Sequence, residues 1–437
     1  MSEAHASFVG RVQRSTIADS GYLMNRIAAL MLVLGLSLAV VASGWTAEAN
    51  PEQAKAIAEI KKLGGKVVVD EKSPDKPVIG VDLYGTKVTD AGLEHLKGLT
   101  KLQSLYLLEC EVTDAGLEHL KGLTNLQTLE LSGTKVTDAG LDHLKALAKL
   151  QDLDLWYTKL TDAGLEHLKA LTNLRDLNLT GTKVTDAGLE HLKGLTKLRL
   201  LFLGDTKVTN AGLEYLHLWP QLHRLCLDHT EVTDAGLEHL KALTNLQLLT
   251  LGYTKVTDVG LENLKVLTSL QSLYLRSTEV TDAGLEHLKA LTKLQDLNLM
   301  DSKVTDAGLE HLKALTNLKS LDLGQTGVRG PGLEHLEGLT KLQSLGLSET
   351  TVTDADLENL RGLTKLQWLQ LRETKVTEEG LQQLKGLTSL KDLDLRQTKV
   401  TEEGVKKLQQ ALPNCKIVHG KAPSQHQVPA PGTKSLR

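Results

Sequence analysis

Histidine is the residue type in this sequence whose spacing most directly suggests chemistry. Nine histidines follow an acidic residue in the same short motif, E-H-L or D-H-L. They are His95, His119, His143, His167, His191, His239, His287, His311 and His335. Imidazoles that share a zinc ion lie about 2.0–2.1 Å from it, whereas neighbouring helices pack about 8–10 Å apart, and the motif is not H-E-x-x-H. The column therefore predicts a solvated outer face of repeated helices and no metal site.

The cysteines and the known catalytic motifs give no sign of an enzyme. Of the three cysteines, Cys110 and Cys226 stand at different places in the repeat described below and nearly five repeats apart. At about 4.8 Å per strand they are too distant for a disulfide. A Gly-rich phosphate loop, a G-x-S-x-G elbow and a calcium loop are all missing from the sequence. We therefore predict a non-enzymatic protein without a cofactor.

Composition indicates a small unit used many times. The 437 residues include only 3 % aromatics, so the core must consist almost wholly of Leu and Val. The 50 Lys and Arg nearly balance the 54 Asp and Glu, which leaves a net charge of −4. A nucleic-acid-binding protein usually has a basic excess or a basic stripe. The balance argues against that class.

The elements that would position any site come from an internal repeat. Fourteen units of 24 residues begin at residue 78 and at every twenty-fourth residue up to 390, without insertion or deletion. Their consensus is L-x-x-L-x-L-x-x-T-x-V-T-D-A-G-L-E-H-L-K-x-L-T-x. Positions 1 to 24 below refer to this consensus. Such a period is the signature of a solenoid, in which each unit buries its leucines only against its neighbours.

Each unit combines a strand half and a helix half. In the unit at 126, residues 128–131 alternate polar and apolar side chains, as a half-buried strand does. In its second half, Leu141, Leu144 and Leu147 are spaced three apart, which lines one face of a short helix. Thr137 stands where a helix N-cap belongs, and Asp138 adds a favourable charge to the first turn. The pattern predicts parallel strands inside and helices outside.

The consensus resembles the leucine-rich repeat, whose signature is L-x-x-L-x-L-x-x-N/C-x-L. Position 9, normally Asn or Cys, is Thr in twelve units, Cys110 in one and Ser302 in one. A hydroxyl can form the same bonds to the turn after the strand. The T-D-x-G-L units are similar to those of long exported bacterial proteins. The resemblance implies an α/β fold: a curved solenoid with a parallel concave sheet and short convex helices.

One helix half departs from the consensus. Residues 218–220, Leu-Trp-Pro, replace the usual x-L-T, and proline lacks an N–H group. This predicts a local distortion of the convex layer with the strands left intact.

The ends of the chain have their own patterns. Residues 1–49 form a leader in which the apolar segment 27–45 and an A-x-A site predict a cleaved signal peptide, with Met24 as an alternative start. An uncleaved segment would instead be a membrane anchor. We assign 50–77 to an N-terminal cap, 78–413 to the repeats, and 414–437 to a cap strand and a disordered tail.

Aromatic side chains concentrate on one face of the predicted sheet. Positions 3, 5, 7 and 8 flank the inward leucines, and eight of the ten aromatics in the repeats occupy them. Exposed aromatics on one face mark binding surfaces; the alternative is that they reflect β-propensity alone. The binding residues that we predict, in the middle of the arc, are Trp156, Tyr157, Phe202, Arg224, Asp228, Tyr253, Tyr274 and Arg276.

The same four positions carry fifteen acidic residues and four arginines, an excess of eleven negative charges. This acidic, aromatic-bearing face favours a basic protein or other basic macromolecule as partner, and it disfavours nucleic acid. A membrane would be a partner only if segment 27–45 stays uncleaved.

We therefore expect an exported protein, periplasmic or extracellular, that binds a macromolecule through its concave face. The alternatives are a membrane-anchored adhesin or receptor ectodomain, a substrate-recognition subunit of a protein-degradation assembly, and a scaffold without a specific ligand.

Overall fold

A computed structural model describes residues 51–420. The leader at 1–49, with its apolar segment 27–45, and the tail beyond residue 420 lie outside the described residues.

The repeats build an open sheet in which the sixteen described strands follow one another in chain order. The strands are β1 (Lys66–Val69), β2 (Val78–Asp82), β3 (Ser104–Tyr106), β4 (Thr128–Glu130), β5 (Asp152–Asp154), β6 (Asp176–Asn178), β7 (Leu200–Phe202), β8 (Arg224–Cys226), β9 (Leu248–Thr250), β10 (Ser272–Tyr274), β11 (Asp296–Asn298), β12 (Ser320–Asp322), β13 (Ser344–Gly346), β14 (Trp368–Gln370), β15 (Asp392–Arg396) and β16 (Lys416–Gly420). From β2 to β16 the strands are parallel, and equivalent residues pair, as Leu129 does with Leu153. The exception is β1, which pairs antiparallel with β2.

Short helical segments on the opposite side connect the strands. The α-helices are α1 (Pro51–Lys62), α2 (Asp90–Leu93), α3 (Asp114–Leu117), α4 (Asp138–Leu141), α5 (Asp162–Leu165), α6 (Asp186–His191), α7 (Asn210–Leu213), α8 (Asp234–Leu237), α9 (Asp258–Leu261), α10 (Asp282–Leu285), α11 (Asp306–Leu309), α12 (Leu381–Leu384) and α13 (Glu402–Ala411). The 3-10 segments are Glu94–Leu96, Glu118–Leu120, Asp142–Leu144, Glu166–Ala170, Glu214–Leu218, Glu238–Ala242, Glu262–Val266, Glu286–Ala290, Glu310–Ala314, Pro331–Leu336 and Asp356–Leu360. With the parallel strands, these helices confirm the predicted leucine-rich-repeat solenoid.

Leucine ladders form the core between the two layers. Equivalent leucines such as Leu129, Leu153 and Leu177 are fully buried and stack along the sheet. The position 9 hydroxyls close the turn as expected, since Thr134 Oγ1 donates to the carbonyl of Leu131 over 2.6 Å. In the unit with cysteine, Cys110 Sγ contacts the carbonyl of Leu83 at 3.1 Å. The Thr ladder thus takes the structural place of the usual Asn.

The T-D-A-G-L motif links most units to the next; the exception is Gly330, after which Thr353 bonds Asp356 of its own unit. Thr161 donates its backbone N–H and its hydroxyl to the two carboxylate oxygens of Asp138 over 2.8 and 2.6 Å. A Cβ atom on Gly164 would lie 2.4 Å from the same carboxylate, so the motif needs glycine there. Thr137 stands at the N-cap of α4 as the sequence predicts, but its side chain makes no cap bond to the helix. Its hydroxyl instead bonds Asp114 of the preceding unit.

The irregular residues 218–220 distort the convex layer locally and leave the strand pairing beside them intact, as predicted. Trp219 is fully buried at a position where neighbouring units have leucine. The backbone N–H of Trp219 donates to the carbonyl of Leu216 over 3.0 Å, just as the backbone N–H of Leu243 donates to the carbonyl of Leu240 over 2.8 Å. The local changes are the backbone of Trp219, where φ is −120° against −93° at Leu243, and the bond from Asn245 to the carbonyl of Pro220, at 3.3 Å against 2.8 Å for the equivalent bond of Asn173.

Candidate functional site

The strands turn positions 3 and 5 toward the sheet face, and the residues that follow each strand extend that face along its carboxyl edge. Position 8 has a positive φ in all fourteen units: three are glycines, and the other eleven have φ between 51° and 59°. A left-handed conformation costs an ordinary side chain about 1 kcal/mol or more. Tyr157 and Tyr253 adopt it because their N–H groups bond the carbonyls of Thr180 and Arg276, over 2.9 and 2.8 Å. This geometry fixes the direction of both tyrosines.

The first group on this edge joins Trp156, Tyr157 and Asp205. The Tyr157 hydroxyl donates to Asp205 Oδ2 over 3.1 Å, two units further along. Its ring lies over Gly181 in the unit between, where a Cβ atom would be 2.9 Å from Tyr157 Cδ1. Trp156 meets the same ring edge-on at 4.9 Å. Burial, followed by the Asp205 charge, raises the pKa of Tyr157 to about 12, so the phenol stays a neutral donor.

The second group stacks His229, Tyr253 and Arg276. The two rings lie 4.0 Å apart at an angle of 12°, and the Arg276 guanidinium lies 5.4 Å from the Tyr253 ring centre. Burial lowers the pKa of His229, which favours neutral imidazole at neutral pH. The Nε atom of Arg276 is buried without a hydrogen-bond acceptor among the described residues. The stack therefore holds an aromatic pair and a cation in one fixed arrangement.

Asp228 is half-buried, and its carboxylate is held by three neighbouring groups. It accepts bonds from the N–H of Gly252 over 2.6 Å, from the hydroxyl of Thr250, and from Cys226 Sγ over 3.2 Å. Burial raises the pKa of Asp228 above its ordinary value, because the effect of burial is larger than that of these hydrogen bonds, which lower the pKa. Burial also raises the pKa of the Cys226 thiol well above its ordinary value, so this cysteine is not an activated nucleophile.

Phe202 differs from the sequence-based expectation. We expected all the predicted anchors to be partly exposed, but Phe202 is only 8 % exposed and Leu200 beside it is also buried. Tyr157 and Tyr253 are each 38 % exposed. Tyr274 and Arg276 are half-buried, and Arg224 is exposed. Phe202 therefore belongs to the packed floor of the face.

Sequence reasoning missed the amino edge of the sheet, formed by position 2. A shallow hollow there is lined by Gln127, Thr128, Gln151, Asp152, Arg175, Asp176 and Arg199. Position 2 carries four basic residues over the fourteen units and no acidic one. The signal was present in the sequence as a change from the usual glutamine to Arg175 and Arg199 in successive units.

The histidine column is also less solvated than we predicted. The Nδ1 atoms of His119, His143, His167, His287 and His311 are buried and have no hydrogen-bond partner within residues 51–420. His167 has an acidic side chain close to this nitrogen, since Asp142 Oδ1 lies 3.5 Å from His167 Nδ1. In the described part of the chain, no three His, Cys, Asp or Glu side chains are arranged to hold a metal ion.

The comparison with protein families agrees with the geometry. A family model described as a leucine-rich repeat region matches residues 153–376, just over half of the 437-residue chain. A second, described as a leucine-rich repeat, matches residues 122–144 and 386–408. The chain belongs to the leucine-rich-repeat family.

Two bacterial proteins are among the solved structures with a similar fold. An internalin of Listeria monocytogenes is 25 % identical, with a TM-score of 0.59 over 82 % of this chain and 98 % of the internalin. A leucine-rich-repeat protein of Leptospira interrogans is 21 % identical, with a TM-score of 0.56 over 74 % of this chain and 80 % of that protein. No curated protein matches the chain in sequence. Within residues 51–420, no helix has the length and apolar character needed to cross a membrane.

Proposed function

We propose that this chain is a non-enzymatic leucine-rich-repeat protein that binds another protein through its central face. The central face comprises positions 2, 3, 5, 7 and 8 of the six units that span residues 150–293. The observation that carries the proposal is the pair of preformed groups. One joins Tyr157 to Asp205, the other stacks His229 on Tyr253, and Asp205 and His229 lie in neighbouring units. Side chains that are already ordered lose little entropy on binding, and aromatic anchors supply most of the energy in many interfaces.

The charge of the face favours a partner with basic groups. Most of the fifteen acidic residues at positions 3, 5, 7 and 8 lie outside the central face, along its two sides. Basic groups of the partner would meet these acids, whereas a nucleic acid would be repelled.

We infer that the protein acts outside the cytoplasm, because residues 27–45 have the apolar character of a signal peptide. Mass spectrometry of the protein purified from its native host tests this inference. A mature N-terminus near residue 50 supports secretion. An intact segment 27–45 in the membrane fraction supports the anchored alternative, and an intact chain in the cytoplasm contradicts export.

The binding proposal is tested by affinity capture from the native host with matched aromatic variants. The test variant replaces Trp156 and Tyr253 by alanine. Loss of a central anchor often costs about 2 kcal/mol, or about thirtyfold in affinity. We expect partners captured by the wild type to be lost, while circular dichroism shows an unchanged fold.

The control variant replaces Tyr84 and Trp368 by alanine. These aromatics also lie on the sheet face and are more exposed, at 54 % and 43 %, but they belong to the first and thirteenth units. The control should keep its partners. If both variants retain the same proteins, or if only the control loses them, the central face is not the binding site.

A further inference from the structure

The amino edge of the central face carries an arginine rim. Position 2 residues form a continuous ladder, since the N–H of Arg199 bonds the carbonyl of Arg175 and the N–H of His223 bonds that of Arg199, each over 2.7 Å. Their side chains therefore occupy neighbouring rungs about 4.8 Å apart. Arg224, next to His223 at the start of β8, is exposed like Arg175 and Arg199. We call Arg175, Arg199 and Arg224 the arginine rim.

The arginine rim is not a by-product of repetition. Position 2 is glutamine in eight of the fourteen units, including the unit before Arg175 and the unit after His223. Duplication of either of these flanking units would have placed glutamine at position 2 of the three units that begin at 174, 198 and 222. The amino edge of the central face therefore departs from glutamine in three successive units.

The rim is not a general anion site, because acidic side chains lie close to it. Asp152 and Asp176 line the same hollow as Arg175 and Arg199. A polyanion such as heparin or a nucleic acid would place negative charge against these carboxylates, which is unfavourable. A peptide can instead offer a single carboxylate to the guanidinium groups and N–H donors to the aspartates. Guanidinium binds such a carboxylate through two parallel hydrogen bonds.

The opposite edge of the same units carries the acidic Asp205, and the cation Arg276 lies further along, 5.4 Å from the Tyr253 ring centre. Asp205 is held by Tyr157 over 3.1 Å, and a shallow depression beside it is lined by His229 and Tyr253. The lysine of that depression, Lys255, is paired with Glu231 over 2.8 Å. Arg199 and Asp205 are six residues apart in one unit, which is at most about 20 Å at the rise of an extended strand.

We propose that the segment bound at the central face is a bipolar peptide of the partner protein. Its carboxylate lies at the arginine rim, its apolar side chains cover the floor beside Tyr274, and its cationic group meets Asp205. This inference rests on the proposed function and specifies the ligand of the same face. It modifies the expectation of a basic partner, since the part of the partner that lies on the rim is acidic.

Selection from a phage-displayed library of random twelve-residue peptides on the full chain tests this chemistry. We expect the selected peptides to combine Asp or Glu with an aromatic or aliphatic residue. Synthetic copies should bind the double variant Arg175→Gln/Arg199→Gln at least tenfold more weakly than the wild type. Glutamine is the usual residue at position 2, so this variant should fold normally. Lys319→Gln, the same kind of change in the eleventh unit, is the matched control and should bind as the wild type does.

A second set of peptides connects the carboxylate to the rim. Peptides with Glu or Asp replaced by the amide should lose at least tenfold on the wild type and little on Arg175→Gln/Arg199→Gln. Equal binding of the acidic peptides to the wild type and to that variant would overturn the inference, as would a purely basic set of selected peptides or no selected peptide at all. Binding of a heparin fragment that depends on both arginines, without binding of acidic peptides, would also overturn it in favour of a polyanion.

The same peptides separate this inference from the proposed function. Loss on the Trp156→Ala/Tyr253→Ala variant together with unchanged binding to the arginine variant would leave the proposed function in place and reject the rim. Unchanged binding to the aromatic variant would contradict the central face itself.

Discussion

The hydroxyl of Tyr157 donates a hydrogen bond to Asp205 Oδ2 over 3.1 Å and so bridges two units that are not adjacent. The bridge is possible because the unit between them has Gly181 at the equivalent position, and the Tyr157 ring lies directly over that glycine. One residue without a side chain thus lets an aromatic ring lie flat along the edge of the sheet. The hydrogen bond from Tyr157 holds the Asp205 carboxylate at the carboxyl edge of the central face.

Replacing Gly181 by alanine should disrupt this bridge. Its φ is +70°, and the new Cβ would lie 2.9 Å from the Tyr157 ring, so the ring must move away from Asp205. We expect a lower midpoint of thermal unfolding and weaker binding of the peptides selected on the wild type. Gly133→Ala is the matched control, because its φ is +66° but the nearest atom, Glu109 Cγ, is 3.5 Å away. In both variants the backbone strain should lower the free energy of unfolding by about 1 kcal/mol, and only Gly181→Ala should lose binding. Equal effects of the two substitutions on binding would contradict the role of the ring.

The burial of Phe202 leads to a prediction about stability. Truncating a buried phenylalanine to alanine typically costs about 3–5 kcal/mol. Phe202→Ala should therefore lower the free energy of unfolding clearly, whereas Trp156→Ala, at a half-exposed site, should lower it much less. Urea denaturation of the two variants measures the difference. If Trp156→Ala is the more destabilised protein, the packing described for the floor is wrong.

Asp228 should make stability depend on pH in an unusual direction. Burial raises its pKa above the ordinary value of 3.8, so the folded protein holds the proton more tightly than the unfolded chain does. The resulting stabilisation is complete below the ordinary pKa and is lost as the pH rises through the raised pKa. Asp228→Asn removes this contribution and can still accept the bond from Gly252.

The measurement is the difference in unfolding free energy between the wild type and Asp228→Asn across this pH range. We expect the wild type to lose stability relative to the variant as the pH rises above about 4. A difference that stays constant, or that changes in the wild type's favour, would show that Asp228 is not a raised-pKa carboxyl. Titrations of the other carboxylates cancel in the comparison as long as they do not couple to this site.

The parts of the structure that depend on spacing within one unit could be predicted from the sequence. The leucines at positions 1, 4 and 6 define a strand with its inward side, and the leucines three apart define the helix face. Because these constraints are local and repeated fourteen times, the register of the sheet and the Thr ladder followed directly. The same period indicated which rows of side chains share the sheet face.

The parts that depend on contacts between units could not be predicted in this way. The burial of Phe202 and the hydrogen bond that holds Tyr157 in a left-handed conformation both depend on neighbouring units. The spacing of residues within one unit does not encode them. The partner of the Thr137 hydroxyl, at the N-cap of α4, could not be predicted for the same reason. This hydroxyl bonds an aspartate 23 residues earlier, a contact that exists only once the stacking of the units is known.

The Asp–Thr bridge between units provides a final prediction. In Asp138→Ala, the N–H and the hydroxyl of Thr161 both lose their acceptor, and hydrogen bonds to charged groups contribute about 1.5–3 kcal/mol. We expect a loss of stability of that order. Asp138→Asn should be much milder, since the chain already contains this arrangement at Asn210, which accepts from the N–H of Thr233 over 2.9 Å and donates to its hydroxyl over 2.8 Å. Urea denaturation compares the three proteins, and a loss in the asparagine variant as large as that in the alanine variant would show that charge, and not hydrogen bonding, holds neighbouring units together.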